Sequence, residues 1–163
     1  MIKPIETRYK GYRFRSRLEA RWAVFFDAMD VAYAYEPEGY SVGGSGYLPD
    51  FWIPIQHPDH SHYPSAGYWL EIKPIPLTPD QHEKCKVLAA RTGHYTCILA
   101  GQPWPGEFLQ QKWSPSGEFW NFTSDDLPYG YISYPCGAAG NNGNWRKAFA
   151  AARAARFEHG EEG

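Results

Sequence analysis

Two short apolar runs with a capped helix between them constrain the fold more than anything else in the chain. Tyr68-Trp69-Leu70-Glu71-Ile72-Lys73 reads as a strand, stopped by Pro74 and Pro76. Thr78-Pro79-Asp80-Gln81 reads as a helix start. It offers a capping threonine, a proline at the first helical position, an acid against the helix dipole and a glutamine to close the capping box. The helix runs to about Thr92, where Gly93 ends it, and Tyr95 to Ala100 forms the next strand. Strand, helix, strand in that order predicts a parallel pair with a right-handed crossover.

Upstream, Ser16 is a good N-cap with Glu19 three residues later. Leu18, Trp22, Phe25, Phe26 and Met29 then share one face of a helix over roughly residues 17–30. Residues 32–36 read as a short strand ended by Pro37, Gly39 to Gly46 as turn material, and residues 47–53 as a further strand whose proline suggests an edge or bulge. Residues 54–67 hold three prolines with His57, His60 and His62, and read as a loop. Downstream, residues 108–113 and 119–123 flank Ser114-Pro115-Ser116-Gly117, the pattern of a hairpin. Residues 124–143 are rich in Gly and Pro, and Asn144 suits the cap of an Ala-rich helix through about Phe157. The order α-β-β-β-α-β, then a hairpin and a helix, predicts a mixed α/β fold. At 163 residues the expectation is a single domain, with its core over about residues 14–100 and residues 101–163 as a C-terminal extension.

Apolar residues make up 43% of the chain, enough for a packed core, and no apolar run approaches the roughly 20 residues of a membrane span. No basic start leads into an apolar stretch, so no secretory leader is expected. Cys85, Cys97 and Cys136 are odd in number and lack C-x-x-C spacing, which argues against a disulfide framework and for a reducing, cytoplasmic location. Cys85 and Cys97 are expected in the core. The net charge of −2 conceals an uneven distribution: residues 1–22 carry seven basic side chains against Glu6 and Glu19. Lys10, Arg13, Arg15 and Arg17, interleaved with Tyr12, form either a solvated basic arm or a patch facing phosphates.

The chemistry-bearing residues are few. Glu71-Ile72-Lys73 is the only E-x-K in the chain. On a strand, residues two apart share a face, so a carboxylate and an ammonium stand side by side. Asp50 follows Pro49 in an apolar context, where an acid needs a partner or a metal. If the strands of Asp50 and Glu71 are neighbours, their carboxylates can share one hard divalent cation such as Mg²⁺, which keeps waters and takes substrate phosphate. Lys73 beside it can orient or help deprotonate an attacking water, or neutralise charge building on a phosphate. Glu19 is a third candidate carboxylate. Each also has a plainer reading: Glu19 as a capping residue, Glu71 with Lys73 as a surface ion pair, Asp50 as an acid near a turn. His57, His60 and His62 have unspecific spacing, more consistent with an exposed insertion than with a transition-metal site. Trp104, Trp113, Trp120 and Trp145 either pack on the sheet or stack on bases.

Glu19, Pro49-Asp50 and Glu71-Ile72-Lys73, in that order and context, resemble the signature of the PD-(D/E)XK nuclease superfamily. Phe14 to Trp22 followed by Tyr47 to Phe51 also resembles small stand-alone nucleases of bacteriophage genomes and the catalytic domain of the Tn7-type transposon endonuclease subunit. The resemblance covers about 90 residues and implies a restriction-endonuclease-like fold with metal-dependent hydrolysis of DNA in phage or mobile-element metabolism. It implies Asp50 and Glu71 as ligands of Mg²⁺ or Mn²⁺, with the Ile72 main-chain carbonyl as a further ligand, Lys73 as the catalytic lysine and Glu19 as a helix-borne acid. Pro74 directly after the lysine departs from the pattern. A homodimer or a targeting protein partner fits such a nuclease. The alternative is a non-cleaving module that uses the same fold to bind nucleic acid or a partner protein.

Overall fold

The computed structural model describes residues 3–42, 44–54, 67–123 and 145–157. The His57, His60 and His62 loop, Cys136 and most of the stretch before the last helix lie outside them.

The basic N-terminal segment contains a hairpin, β1 (Thr7–Tyr9) and β2 (Tyr12–Phe14), which the sequence reading treated only as an arm. Its turn, Lys10-Gly11, has φ of 47° and 81°, the backbone of a tight two-residue connection that matches strand twist. Lysine is an uncommon residue for that backbone, and three-residue strands carry little periodicity, so the signal in the sequence is faint. Helix α1 (Arg17–Ala28) follows, with the Ser16 side chain accepting from the Glu19 N–H at 3.2 Å. It buries Ala20, Trp22, Ala23, Phe25 and Phe26 on one face, and Met29 caps its end rather than extending it.

Next come β3 (Ala34–Tyr35), β4 (Tyr40–Val42), β5 (Ser45–Tyr47) and β6 (Phe51–Pro54). The segment expected as plain turn is thus a second hairpin, β4 with β5. The strand expected over residues 47–53 is divided: Tyr47 ends β5, and Asp50 stands immediately before β6. Pro49 has no N–H to give to a ladder, and the Asp50 carbonyl accepts instead from Glu36 N–H at 2.8 Å. Then follow β7 (Gly67–Lys73), α2 (Pro79–Thr92), β8 (Tyr95–Gly101), β9 (Phe108–Trp113), β10 (Phe119–Thr123) and α3 (Trp145–Ala154). Both halves of the expected capping box at Thr78 and Gln81 form, and Gly93 ends α2 at φ 71°.

The main sheet has the order β10-β9-β8-β7-β6-β3. Only β7 and β8 are parallel, as the crossover demanded, and β9 with β10 form the expected hairpin on the same sheet. Side chains alternate across it. Leu70, Ile72, Cys97 and Leu99 pack under α1 and α3 with Phe14, Trp22, Phe25, Phe26 and Phe51. Ile98 and Ala100 face the other way, against Cys85 and Ala89 of α2 and Trp113 of β9. Both faces of the central strands are therefore covered, which is why β7 is buried almost end to end. The architecture is mixed α/β with three helices among the described residues. Cys85 and Cys97 are buried free thiols. No helix among the described residues is long and apolar enough to cross a membrane.

Candidate functional site

In the β7–β8 register, Glu71 lies opposite Ile98 and Lys73 opposite Ala100. Ile98 and Ala100 face α2, so Glu71 and Lys73 stand on the α2 side of the sheet. In the antiparallel β6–β7 register, Phe51 pairs with Leu70, and one further step brings Asp50 alongside Glu71. The condition set in the sequence, that the strands of Asp50 and Glu71 be neighbours, is met by β6 and β7, and the two carboxylates come together at one end of the sheet.

Asp50 and Glu71 are 3% and 1% exposed. Asp50 Oδ2 accepts from the Ile72 N–H at 2.7 Å and lies 3.4 Å from Lys73 Nζ, which also forms an ion pair with Glu71 Oε2. Asp50 Oδ1 lies 3.9 Å from the Arg15 guanidinium, and Glu71 Oε1 is buried with no hydrogen-bond partner among the described residues. Burial and then the Glu71 charge push the Asp50 carboxyl well above its usual range, against the opposing pull of Lys73 and the Ile72 N–H. Burial works to lower Lys73, but Asp50 and Glu71 outweigh it and hold the ammonium above the ordinary lysine range. Lys73 is a firmly protonated cation here.

Glu19 is buried at the start of α1, and its charge adds to the field on Asp50. Its carboxylate accepts from Ser16 Oγ at 2.8 Å, Arg15 N–H at 3.2 Å and Tyr35 Oη at 2.6 Å. Cap and candidate site residue are therefore one geometry, not two. Tyr35, from the short β3, was not singled out in the sequence, nor was Tyr47, whose hydroxyl sits beside Glu71 and 3.8 Å from Cys85 Sγ. A tyrosine in a strand reads the same whether it packs or holds a carboxylate, so the sequence carried no sign of either.

The residues expected to face phosphate separate. Lys10 pairs with Asp27 at 3.3 Å, Arg13 pairs with Glu6 at Oε2, and both cations are exposed. Tyr12 joins an aromatic group with Phe14, Tyr33 and Tyr35. Arg15 turns towards the carboxylates and pairs with Glu36, itself held at φ 46° by its place beside Asp50. Arg17 has no acidic partner among the described residues, and its buried Nε has no acceptor there. Among the tryptophans, Trp113 is buried against α2, Trp104 stacks beside Arg21, and Trp120 joins Tyr68 and Tyr95 around the Lys112 ammonium.

Among the described residues, no three His, Cys, Asp or Glu side chains are grouped as a metal cage. A hard cation that retains waters needs fewer: two carboxylates, a main-chain carbonyl and a substrate oxygen suffice for Mg²⁺. The uncommitted oxygens here, Asp50 Oδ1 and Glu71 Oε1, fit that requirement. The repulsion between the two acids, which Lys73 offsets only in part, fits it as well.

That repulsion has a sign that can be measured. In the folded chain Asp50 keeps its proton to higher pH than in the unfolded chain, where aspartate titrates near about 3.9. Its contribution to stability is full at acid pH and is lost as pH rises through the raised pKa. His94 acts in the opposite sense, because burial lowers its pKa and stability from it is lost as pH falls. Comparison with Asp50→Asn separates the two. In EDTA, wild type should lose more of its urea midpoint between pH 5 and pH 8 than the variant does. An equal loss in both would refute the reading of Asp50.

The sequence matches no protein-family model, and no curated protein matches it.

Proposed function

We propose that this chain is a metal-dependent endonuclease that hydrolyses phosphodiester bonds of DNA on a restriction-endonuclease-like fold. The observation that carries the reading is the buried meeting of Asp50, Glu71 and Lys73 at one end of the β6–β7 pair, where Glu71 Oε1 has no hydrogen-bond partner among the described residues. A surface ion pair would not leave a carboxylate oxygen buried and unused, since burial without a partner is costly.

Asp50, Glu71 and the Ile72 carbonyl would hold Mg²⁺ or Mn²⁺. The ion, when bound, supplies an activated water and neutralises charge on the phosphate. In the hydrolysis, the water oxygen forms a bond to phosphorus, the ester bond to the leaving sugar oxygen breaks, and that oxygen gains a proton. Lys73 holds its proton too firmly to serve as a general base. It orients the attacking water and offsets the charge that builds on the phosphate oxygens. Glu19, fixed by Ser16, Arg15 N–H and Tyr35, adds negative charge near Asp50 and so favours a cation there. Pro74 ends the ladder directly after Lys73, leaving the ammonium at the end of its strand, where a phosphate can approach.

The test is cleavage of supercoiled plasmid, linear duplex, single strand, flap and four-way junction with Mg²⁺, Mn²⁺ or EDTA. Cutting that requires the metal is expected on at least one substrate. Binding of these substrates without cutting in either metal would favour the non-cleaving module instead.

A further inference from the structure

Arg17 and Arg21 stand on α1 without an acidic partner among the described residues, and the charge of Arg156, which follows α3, reaches Arg21. Every described ion pair of the N-terminal region uses Lys10, Arg13 or Arg15 instead. Arg17 and Arg21 stand four residues apart on α1, one turn above each other on the same face. Arg156 follows α3, which packs against α1. Like charges at that spacing repel, and cations near the start of a helix oppose its dipole. Burial, with the charges of Arg17 and Arg156, holds Arg21 below the ordinary arginine range.

The cluster is also held in place. Arg21 Nη1 donates to Gln102 Oε1 at 3.4 Å, and its guanidinium lies 5.6 Å from the Trp104 ring centroid. The Nε of Arg17 and the Nε of Arg21 are both buried with no acceptor. These are positioned cations whose Nε donors have no acceptor among the described residues. A planar guanidinium in this state suits phosphate, whose oxygens accept in the same fork geometry.

Their place in the fold names the phosphate. Gln102 follows directly on β8, whose Ala100 lies opposite Lys73 on β7. The Trp22 indole N–H donates to the Gly101 carbonyl at 3.0 Å and fixes α1 to that same end of the sheet. The arginines therefore lie at the end of the sheet where β7 presents Lys73, on the α1 face, while Glu71 and Lys73 stand on the α2 face.

We propose that Arg17, Arg21 and Arg156, with Gln102 and Trp104, bind a phosphate of the nucleic-acid strand beside the one hydrolysed at Asp50 and Glu71. The inference rests on the phosphodiester reading above, but its test does not require cleavage. A labelled single strand and a labelled duplex, each with a 5′-phosphate or a 5′-hydroxyl, are titrated with protein in EDTA at several salt concentrations, and fluorescence anisotropy is read. Arg17→Gln and Arg21→Gln should each weaken binding about tenfold and lower the slope of log K against log salt by about 0.7–0.9. Arg21→Lys should keep most of that slope while losing affinity, because an ammonium lacks the fork. It also guards against misfolding as the cause. Arg153→Gln, on the exposed side of α3, removes the same charge and should change little.

A preference for the 5′-phosphate identifies a terminal phosphate, and equal binding identifies an internal one. The proposal is overturned if Arg17→Gln and Arg21→Gln bind like wild type, if Arg153→Gln loses as much as they do, or if wild type binds no oligonucleotide. Plasmid cleavage with Mg²⁺, run in parallel, separates the two readings. Cutting without dependence on these arginines removes the phosphate site alone, and arginine-dependent binding without cutting removes hydrolysis alone.

Discussion

Asp50→Asn should abolish metal-dependent cleavage while leaving the chain folded, and Lys73→Met should slow cleavage by about 10²–10⁴-fold. The asparagine carbonyl can still accept the Ile72 N–H, which Asp50 Oδ2 now receives at 2.7 Å, so the local backbone keeps its anchor. What disappears is the negative charge and, with it, a hard-cation ligand. The repulsion between Asp50 and Glu71 disappears as well, so the thermal midpoint in EDTA should hold or rise. Lys73→Met has the opposite structural sign. Methionine occupies the space of the lysine stem, but it strands two buried acids that shared one ammonium. Removing one partner of a buried charge group costs about 3–5 kcal/mol, so this variant should melt early. Mg²⁺ should raise its midpoint more than that of wild type, because the cation replaces the missing charge, and should leave Asp50→Asn almost unmoved. Single-turnover cleavage rates and melting curves with and without Mg²⁺ read both effects. Lys73→Met cutting at the wild-type rate would remove the assigned role of the lysine. Equal Mg²⁺ shifts in Asp50→Asn and wild type would remove Asp50 as a ligand.

The parts of this fold that were legible in the sequence share a physical property: their signal is local. Thr78, Pro79 and Gln81 announce α2 because the capping box closes within one turn, and Gly93 ends it because a left-handed cap favours glycine. The parallel β7–β8 pair followed from connectivity alone, and Leu18 to Met29 gave the buried face of α1 from its spacing. The β1–β2 and β4–β5 hairpins were missed because strands of three residues are too short to show alternation, and the β1–β2 turn uses Lys10-Gly11. Asp50 was placed within a strand over residues 47–53, though the proline before it meant that the ladder began after it. At the site, the nearness of Asp50 to Glu71 could be proposed from order and periodicity. The groups around the carboxylates could not: Tyr35 comes to Glu19 from 16 residues away, and Tyr47, beside Glu71, meets the Cys85 thiol from 38 away. The basic arm was likewise not resolved by sequence: its cations look alike there, yet in space Lys10 and Arg13 pair with acids while Arg17 and Arg21 have no acidic partner among the described residues.

Trp22 is the single core side chain whose loss should cost most stability. It is fully buried, packs its ring edge-on against Phe25 and Phe108 and at a tilt against Phe26, and donates its indole N–H to the Gly101 carbonyl. Trp22→Ala should cost about 3–5 kcal/mol in urea unfolding, a large share of the roughly 5–15 kcal/mol that stabilises a domain of this size. Trp22→Phe separates the two contributions. It retains most of the apolar contact with α1's neighbours and with β9, but leaves the Gly101 carbonyl without its donor, at a cost of about 1–3 kcal/mol if no water replaces it. The carbonyl matters beyond its own energy. Gly101 turns at φ 98° against the Glu107 backbone, so close that an added Cβ would fall 2.1 Å from the Glu107 oxygen, and Gln102 follows it directly. Loss of the indole bond therefore loosens the point where α1 is fastened to the end of β8. Trp22→Phe should weaken oligonucleotide binding through a displaced Arg21 and Gln102 while leaving Asp50, Glu71 and Lys73, which hang from β6 and β7, in register. A variant that loses stability but binds oligonucleotide as tightly as wild type would show that Arg21 is positioned without the Trp22 anchor.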